Sequence, residues 1–237
     1  MIRYVLLLAI LLSQLPLLAQ SKLENKAYKL IDKYWSEPSV ENLEIAEEVI
    51  DELMEDNNAM QSAIPLYIKS QFMAAQITNT EAELPDDYEE FLDELVIIYN
   101  KALIYDDHNQ NRYLILKNLY DIKSKLTEIG SAHYQEKDFN KAYRFYDAAT
   151  RINEVEIKFP RIARPDTSTI YTSAVMAGLA GEDDIAIKYF EQVVDLGYYR
   201  PDAYDQLIRL YKKNKYDVKA KKMEIRKNKV FPPEQND

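Results

Sequence analysis

The chain has 237 residues, 40 acidic and 30 basic, for a formal net charge of −10, with 4 Gly, 19 Tyr and no Cys. That length supports a sizeable core, while the lack of Cys removes disulfides, thiolate nucleophiles, Cys-based metal sites and a lipid-acceptor residue after a leader. Sparse Gly beside charges interleaved with Leu, Ile, Ala and Tyr suits helices, and nothing reads as strands closed by Gly-rich turns, so the predicted class is all-α.

Residues 1–20, MIRYVLLLAILLSQLPLLAQ, differ from all that follows. Arg3 supplies a positive start, Tyr4 to Leu12 form an apolar run, and Ala19 offers a small residue to a peptidase. This is the form of a secretory signal. A retained anchor would need about 20 apolar residues, and Pro16 and Ser21-Lys22 break the stretch. The ending LLAQ before Ser21 resembles leaders of exported Bacteroidetes proteins, with cleavage after Ala19 or Gln20 left open. The expected location is periplasmic or secreted, with no membrane span after cleavage.

Periodicity and breakers then place the helices in order. Lys22–Trp35 comes first and ends at the Glu37-Pro38 turn. Val40–Asp56 follows, with Leu43, Ala46, Ile50 and Leu53 on one face. A third runs from Ala59 to Ile77, where Pro65 lies in the first turns or kinks the helix. After a polar connector, Thr80–Asp87, comes Tyr88–Tyr105, striped by Phe91, Leu95, Ile98 and Ala102. Asp106–Asn109 turns into a long helix from Asn111 to Glu136, and Asp138 opens another to Asn153. The segment Glu154–Thr167, with Pro160 and Pro165, breaks the pattern. Helices are predicted again over Ser168–Ala180, Glu182–Leu196, Pro201–Lys213 and Tyr216–Lys229, and residues 231–237, FPPEQND, read as a disordered tail.

Charge is unevenly spread. From Ser36 to Asp107 there are nineteen acids against Lys69 and Lys101. From Tyr211 to Val230 eight Lys and Arg226 face only Asp217 and Glu224. A basic patch can signal nucleic acid, but the acidic balance of this exported chain argues against that reading. The basic end reads as a solvated terminal helix with cations near its C-terminus, or as a helix docking on an acidic surface of this chain or a partner.

The stretch Gly130–Asn153 holds small and aromatic residues at fixed offsets. Gly130 permits close helix approach; Ala142 follows after twelve residues, Tyr146 after four and Ala149 after three. Ala174, Ala186, Phe190 and Val193 repeat those offsets. A third unit shows Tyr204, Leu207, Ile208, Tyr211 and Ala220. Ala142 to Ala186 spans 44 residues and Ala186 to Ala220 spans 34. These residues resemble the tetratricopeptide repeat, a helix-turn-helix unit of about 34 residues, with ten extra residues matching the Pro-containing segment. His133 stands where the family often has Tyr, and Glu154 where it often has Pro. Glu224 and Lys227 replace the apolar pair of the last unit, predicting a polar outer face. The predicted organisation is a signal peptide at 1–20, degenerate repeats at 21–120 and repeats at 121–230, forming a solenoid of antiparallel helical hairpins.

The resemblance implies a non-enzymatic scaffold or adaptor that binds a protein or peptide in the concave face lined by the first helix of each pair. By spacing, Thr127, Ser131, Tyr134, Tyr171, Val175, Asp205, Arg209 and Lys212 lie off the packed stripe and are the candidate groove residues. The Lys and Asn pattern with which some members clamp a C-terminal carboxylate is missing. No catalytic, cofactor-binding or metal residue is assigned. His108, beside Asp106-Asp107, has no second His at helical spacing and reads as part of a turn, and His133 reads as a half-buried spacer. Acid pairs such as Glu89-Glu90 and Asp93-Glu94 lie on a polar helix side. The alternative function is an enzyme, or an enzyme's helical accessory domain, acting on envelope polymers. Self-association through the basic last helix and the acidic N-terminal half is a third reading.

Overall fold

The computed structural model describes residues 22–55, 59–79, 84, 86–106, 110–158 and 166–232. The leader at 1–20, His108, Pro160, Pro165 and residues 233–237 of the tail lie outside them. The described residues form helices and no strand. The helices are α1 (22–36), α2 (Val40–Met54), α3 (Ala63–Thr78) after a 3-10 turn at Ala59–Gln61, α4 (Tyr88–Tyr105), α5 (Arg112–Gln135), α6 (Phe139–Lys158), α7 (Thr167–Ala180), α8 (Asp183–Asp195), α9 (Pro201–Lys213) and α10 (Asp217–Val230). The chain is an all-α series of helices. Its contacts divide it into two compact units, one ending at Ile122 and one beginning at Lys123.

In the first unit, α3 packs against both α2 and α4. Its sequence, AIPLYIKSQFMAAQIT, is apolar nearly all round, and residues on every side of it are buried. A helix with that composition belongs inside a core rather than on a surface. Ala27 and Ile31 of α1, Ala46, Val49, Ile50 and Leu53 of α2, and Ile68 and Phe72 of α3 form one cluster. Ser39 starts α2, its hydroxyl accepting the Asn42 amide at 3.1 Å, while the Asn42 side chain donates to the Glu37 carbonyl at 2.8 Å. Pro65 is the third residue of α3, where its missing N–H costs no intrahelical bond, so it introduces no kink there. Asp106 is buried and accepts from the Asn111 amide at 3.2 Å, tying the end of α4 to the start of α5.

In the second unit, α6 packs on α7, α7 on α8, α8 on α9 and α9 on α10. Sequence reading ends α6 at Asn153; it runs to Lys158. Val155 is fully buried beside Ile152, so the apolar face outlasts the expected boundary. Phe231, assigned with the tail, sets its ring edge-on against Tyr204 with centroids 5.6 Å apart.

Three turns repeat with the spacing read from the sequence. Lys137, Gly181 and Lys215 have φ of 63°, 89° and 60°. The next amide reaches back five residues in each case, Asp138 to His133 at 3.0 Å, Glu182 to Ala177 at 2.9 Å and Tyr216 to Tyr211 at 2.8 Å. Those bonds are the left-handed closure of a helix end. Five residues after each left-handed residue stand Ala142, Ala186 and Ala220, at 0%, 0% and 2% exposure. The small residue and the turn are therefore one device: the turn sets the angle, and Ala allows the second helix to close on the first. A Cβ on Gly130 would lie 3.0 Å from the Tyr146 ring and 3.3 Å from the Ala142 carbonyl oxygen, so α5 and α6 approach closely there.

Glu224 and Lys227 depart from expectation. Rather than making the outer face of the last hairpin polar, they reach α9: Glu224 pairs with Lys212 at 2.7 Å and Lys227 with Asp205 at 2.5 Å. They occupy the register that Phe190 and Val193 fill in the preceding hairpin and exchange apolar packing for ion pairs.

Candidate functional site

Between α7 and α9 lies a cleft of about 160 Å³, walled by Ala174, Val175, Gly178, Leu179, Gln206, Arg209 and Leu210 and floored by Phe190. It exists because of the small residues of α7. Gly178 has no side chain to fill the space, and a Cβ there would meet only the Ala186 methyl at 3.9 Å. On the α9 side the Arg209 guanidinium is held in place by Gln206, whose amide oxygen accepts from Nε at 3.0 Å and from a terminal nitrogen at 2.7 Å. The guanidinium has further N–H groups to direct at an incoming acceptor. The cleft is thus apolar at its base and cationic at its rim.

Tyr171 lies one turn before Val175. Its ring meets Phe190 edge-on at 5.8 Å, tilts against Tyr198 at 5.3 Å, and has the Arg200 guanidinium 5.8 Å from its centroid. Burial pushes its phenol pKa up; the Asp202 charge adds to this and Arg200 opposes it. The hydroxyl therefore stays protonated at neutral pH and acts as a donor.

Of the eight residues expected to line a groove, three meet at this cleft and five make other contacts. Val175 and Arg209 face each other across the cleft, and Tyr171 joins them through Phe190. Asp205 and Lys212 are engaged by Lys227 and Glu224 of α10. Thr127, Ser131 and Tyr134 are on α5: Thr127 donates to the Ser124 carbonyl at 2.8 Å, Ser131 is hydrogen-bonded to Tyr146, and Tyr134 packs against Phe139 with centroids 5.9 Å apart. Sequence spacing missed Gly178, Leu179 and Gln206. The signal for Gly178 was present, since Gly inside a helix costs about 1 kcal/mol relative to Ala and calls for a reason.

Behind the cleft, α6 carries a buried polar layer. Asp147, 1% exposed, accepts from the Tyr189 hydroxyl and from Arg151 Nε at 3.0 Å. Burial and the Asp147 charge push the Tyr189 phenol far up, which keeps its proton in place. The hydroxyls of Thr150 and Ser173 are hydrogen-bonded at 2.6 Å, and Ser173 donates to the Tyr146 carbonyl at 2.8 Å. Lys123 and Asp166 pair at 3.4 Å. These groups satisfy one another and join α6 to its neighbours. His133 stacks on Phe145 at 5.5 Å, and neither ring nitrogen makes a hydrogen bond. Among the described residues no group of three or more acidic or His side chains is arranged to hold a metal ion. No described helix is long and apolar enough to cross a membrane.

No family model matches the chain, and no curated protein sequence matches it. In solved structures it is similar to the nearly identical TPR-like repeats of a putative kinesin light chain from Podosopora anserina, at 14% identity over 92% of this chain and 99% of that one, with a TM-score of 0.39. A single-substitution form of that protein aligns at 15% identity over 89% and 95%, with a TM-score of 0.37. PilF from Pseudomonas aeruginosa aligns at 16% identity over 90% and 94%, with a TM-score of 0.26. Superpositions this loose carry nothing about partners, and the helix-pair repeat rests on the chain's own three turns.

Proposed function

We propose that this chain is an exported, non-enzymatic helical-repeat protein that binds another protein or a peptide through the α7–α9 cleft. The observation that carries the reading is the cleft's size and lining. At about 160 Å³ it is smaller than the roughly 300–1,000 Å³ of small-molecule sites, yet large enough for one apolar side chain of a partner. Arg209 at the rim supplies charge-assisted hydrogen bonds to a carbonyl or carboxylate beside that side chain. Tyr171 offers a hydroxyl and a ring edge at the neighbouring turn. Export is supported by residues 1–20, which have the form of a secretory signal.

Gly178→Leu fills the cleft from α7, and Arg209→Ala removes the rim cation. Capture from envelope extract is expected to yield a partner with the unaltered protein and to lose it with either variant, while helical circular dichroism is retained. A partner held equally by both variants would place the binding surface elsewhere. N-terminal sequencing of the protein exported by its host is expected to begin at Gln20 or Ser21. The alternative, an enzyme or accessory domain acting on envelope polymers, predicts turnover of purified glycans that the same variants abolish.

A further inference from the structure

α10 carries more charge than its packing consumes. Its inward side is paired: Lys219 with Glu191 at 3.1 Å, Glu224 with Lys212 at 2.7 Å, Arg226 with Asp195 at 2.6 Å, and Lys227 with Asp205. Ala220 is the helix's buried residue. The outward side presents Val218 at 71% exposure and Ile225 at 63%, with Lys221, Lys222 and Lys229 also exposed. These three lysines have no ion-pair partner among the described residues. The positions step along the helix by three, one, three and four residues, which is one face.

α2 carries the complementary pattern. Glu41, Glu44, Ile45, Glu48 and Glu52 step by the same three, one, three and four residues, and all are exposed. The helix contains no Lys or Arg, and its four stripe glutamates have no ion-pair partner among the described residues. Ile45 is 38% exposed in the middle of the stripe. Each stripe covers about 16 Å of helix from first residue to last.

We propose that the outward face of α10 docks on the outward face of α2 in a second copy of this chain. Lys221, Lys222 and Lys229 meet the glutamates of α2, and Val218 and Ile225 flank Ile45. Complementary stripes of this kind set register and speed encounter. Such a contact is made twice in a two-fold dimer or passes from copy to copy in a ring or filament. A lipid surface fits α10 less well, because an interfacial helix needs a continuous apolar face and this one has two apolar residues. Nucleic acid is disfavoured by the overall charge of −10. The inference is separate from the cleft and stands or falls without it.

Sedimentation velocity of the mature protein at about 50 mM and about 500 mM salt tests it. Concentration-dependent association is expected at the lower salt, weakened at least about tenfold at the higher. Lys221→Glu, Lys222→Glu and Lys229→Glu together should leave monomer, and so should Glu44→Lys, Glu48→Lys and Glu52→Lys together. Mixing the two triple variants should restore association, since each then offers the face the other needs. Lys→Gln at the three α10 positions is a milder variant expected to weaken association, with circular dichroism reporting that helices persist. Monomer at every concentration, association unchanged by salt or by the charge reversals, or no complex on mixing would each overturn the proposal. So would binding of anionic vesicles by monomer that never self-associates.

Discussion

The two units assemble their helices by different means. From Lys123 onward, three turns close through a left-handed residue followed five positions later by a buried Ala, and α6 to α10 pack in series. Before Ile122 there is a central helix instead: α3 is buried on all sides between α2 and α4. The first design repeats a short local rule. The second depends on one apolar helix finding two covers, one of which, α2, is acidic across its outer face. A serial array tolerates polar substitutions at its last hairpin, as Glu224 and Lys227 show; a central helix has no outer side on which to place them.

That contrast can be broken or sharpened by substitution. The largest effect is expected at Phe190, 2% exposed and the floor of the cleft. Phe190→Ala should cost about 3–5 kcal/mol. The chain has one Trp, Trp35 in α1, so its fluorescence reports the first unit while circular dichroism reports both. If the units are energetically separate, Phe190→Ala moves part of the dichroism transition in urea and leaves the Trp35 transition in place. A matched shift of both would show that they unfold together.

Gly130→Ala comes next. Its Cβ would lie 3.0 Å from a Tyr146 ring carbon and 3.3 Å from a backbone oxygen, and overpacking of that kind costs about 1–3 kcal/mol. Ser39→Ala removes the cap of α2, for an expected loss of about 1 kcal/mol that Trp35 should register. Gly178→Ala has the opposite sign: the added Cβ meets nothing closer than 3.9 Å, and a helix-interior Gly→Ala change is expected to stabilise by about 0.5–1 kcal/mol. Equal effects at Gly130 and Gly178 would contradict the assignment of close approach to one and open cleft to the other.

The smallest expected effect is on pH dependence. Burial alone would raise the Asp166 carboxyl, but hydrogen bonds from Thr169 and the Lys123 charge outweigh it and hold the group below its ordinary 3.8. Folding therefore favours the ionised form. Its contribution is complete above the ordinary value and is lost as pH falls through the lower folded value, so the second unit should weaken below about pH 4. Asp166→Asn should flatten that slope, as read by thermal unfolding across the acid range.

Much of the second unit was legible in the sequence because its signals are local. Gly181, Ala142, Ala186 and Ala220 act through offsets of a few residues, and these survive in one dimension. The first unit was less legible, since α3 has little periodicity: a helix apolar on all sides shows its burial and hides its partners. The candidate groove was legible only in part. Helical spacing groups Val175 and Arg209, which line the cleft, with Asp205 and Lys212, which turn to α10 because Glu224 and Lys227 offer charges there.

By itself the sequence determined that the chain is helical, where most helices begin and end, and the 44- and 34-residue intervals between equivalent hairpins. Capping, turn geometry and apolar period act over one or two turns, so neighbours along the chain suffice to specify them. Only the tertiary structure decided that Glu224 and Lys227 pair inward, that Gly178 opens a cleft, and that Arg209 stands at its rim. Those outcomes depend on which side chains from separate helices compete for the same space and the same charge, and spacing along one helix carries no information about the helix opposite.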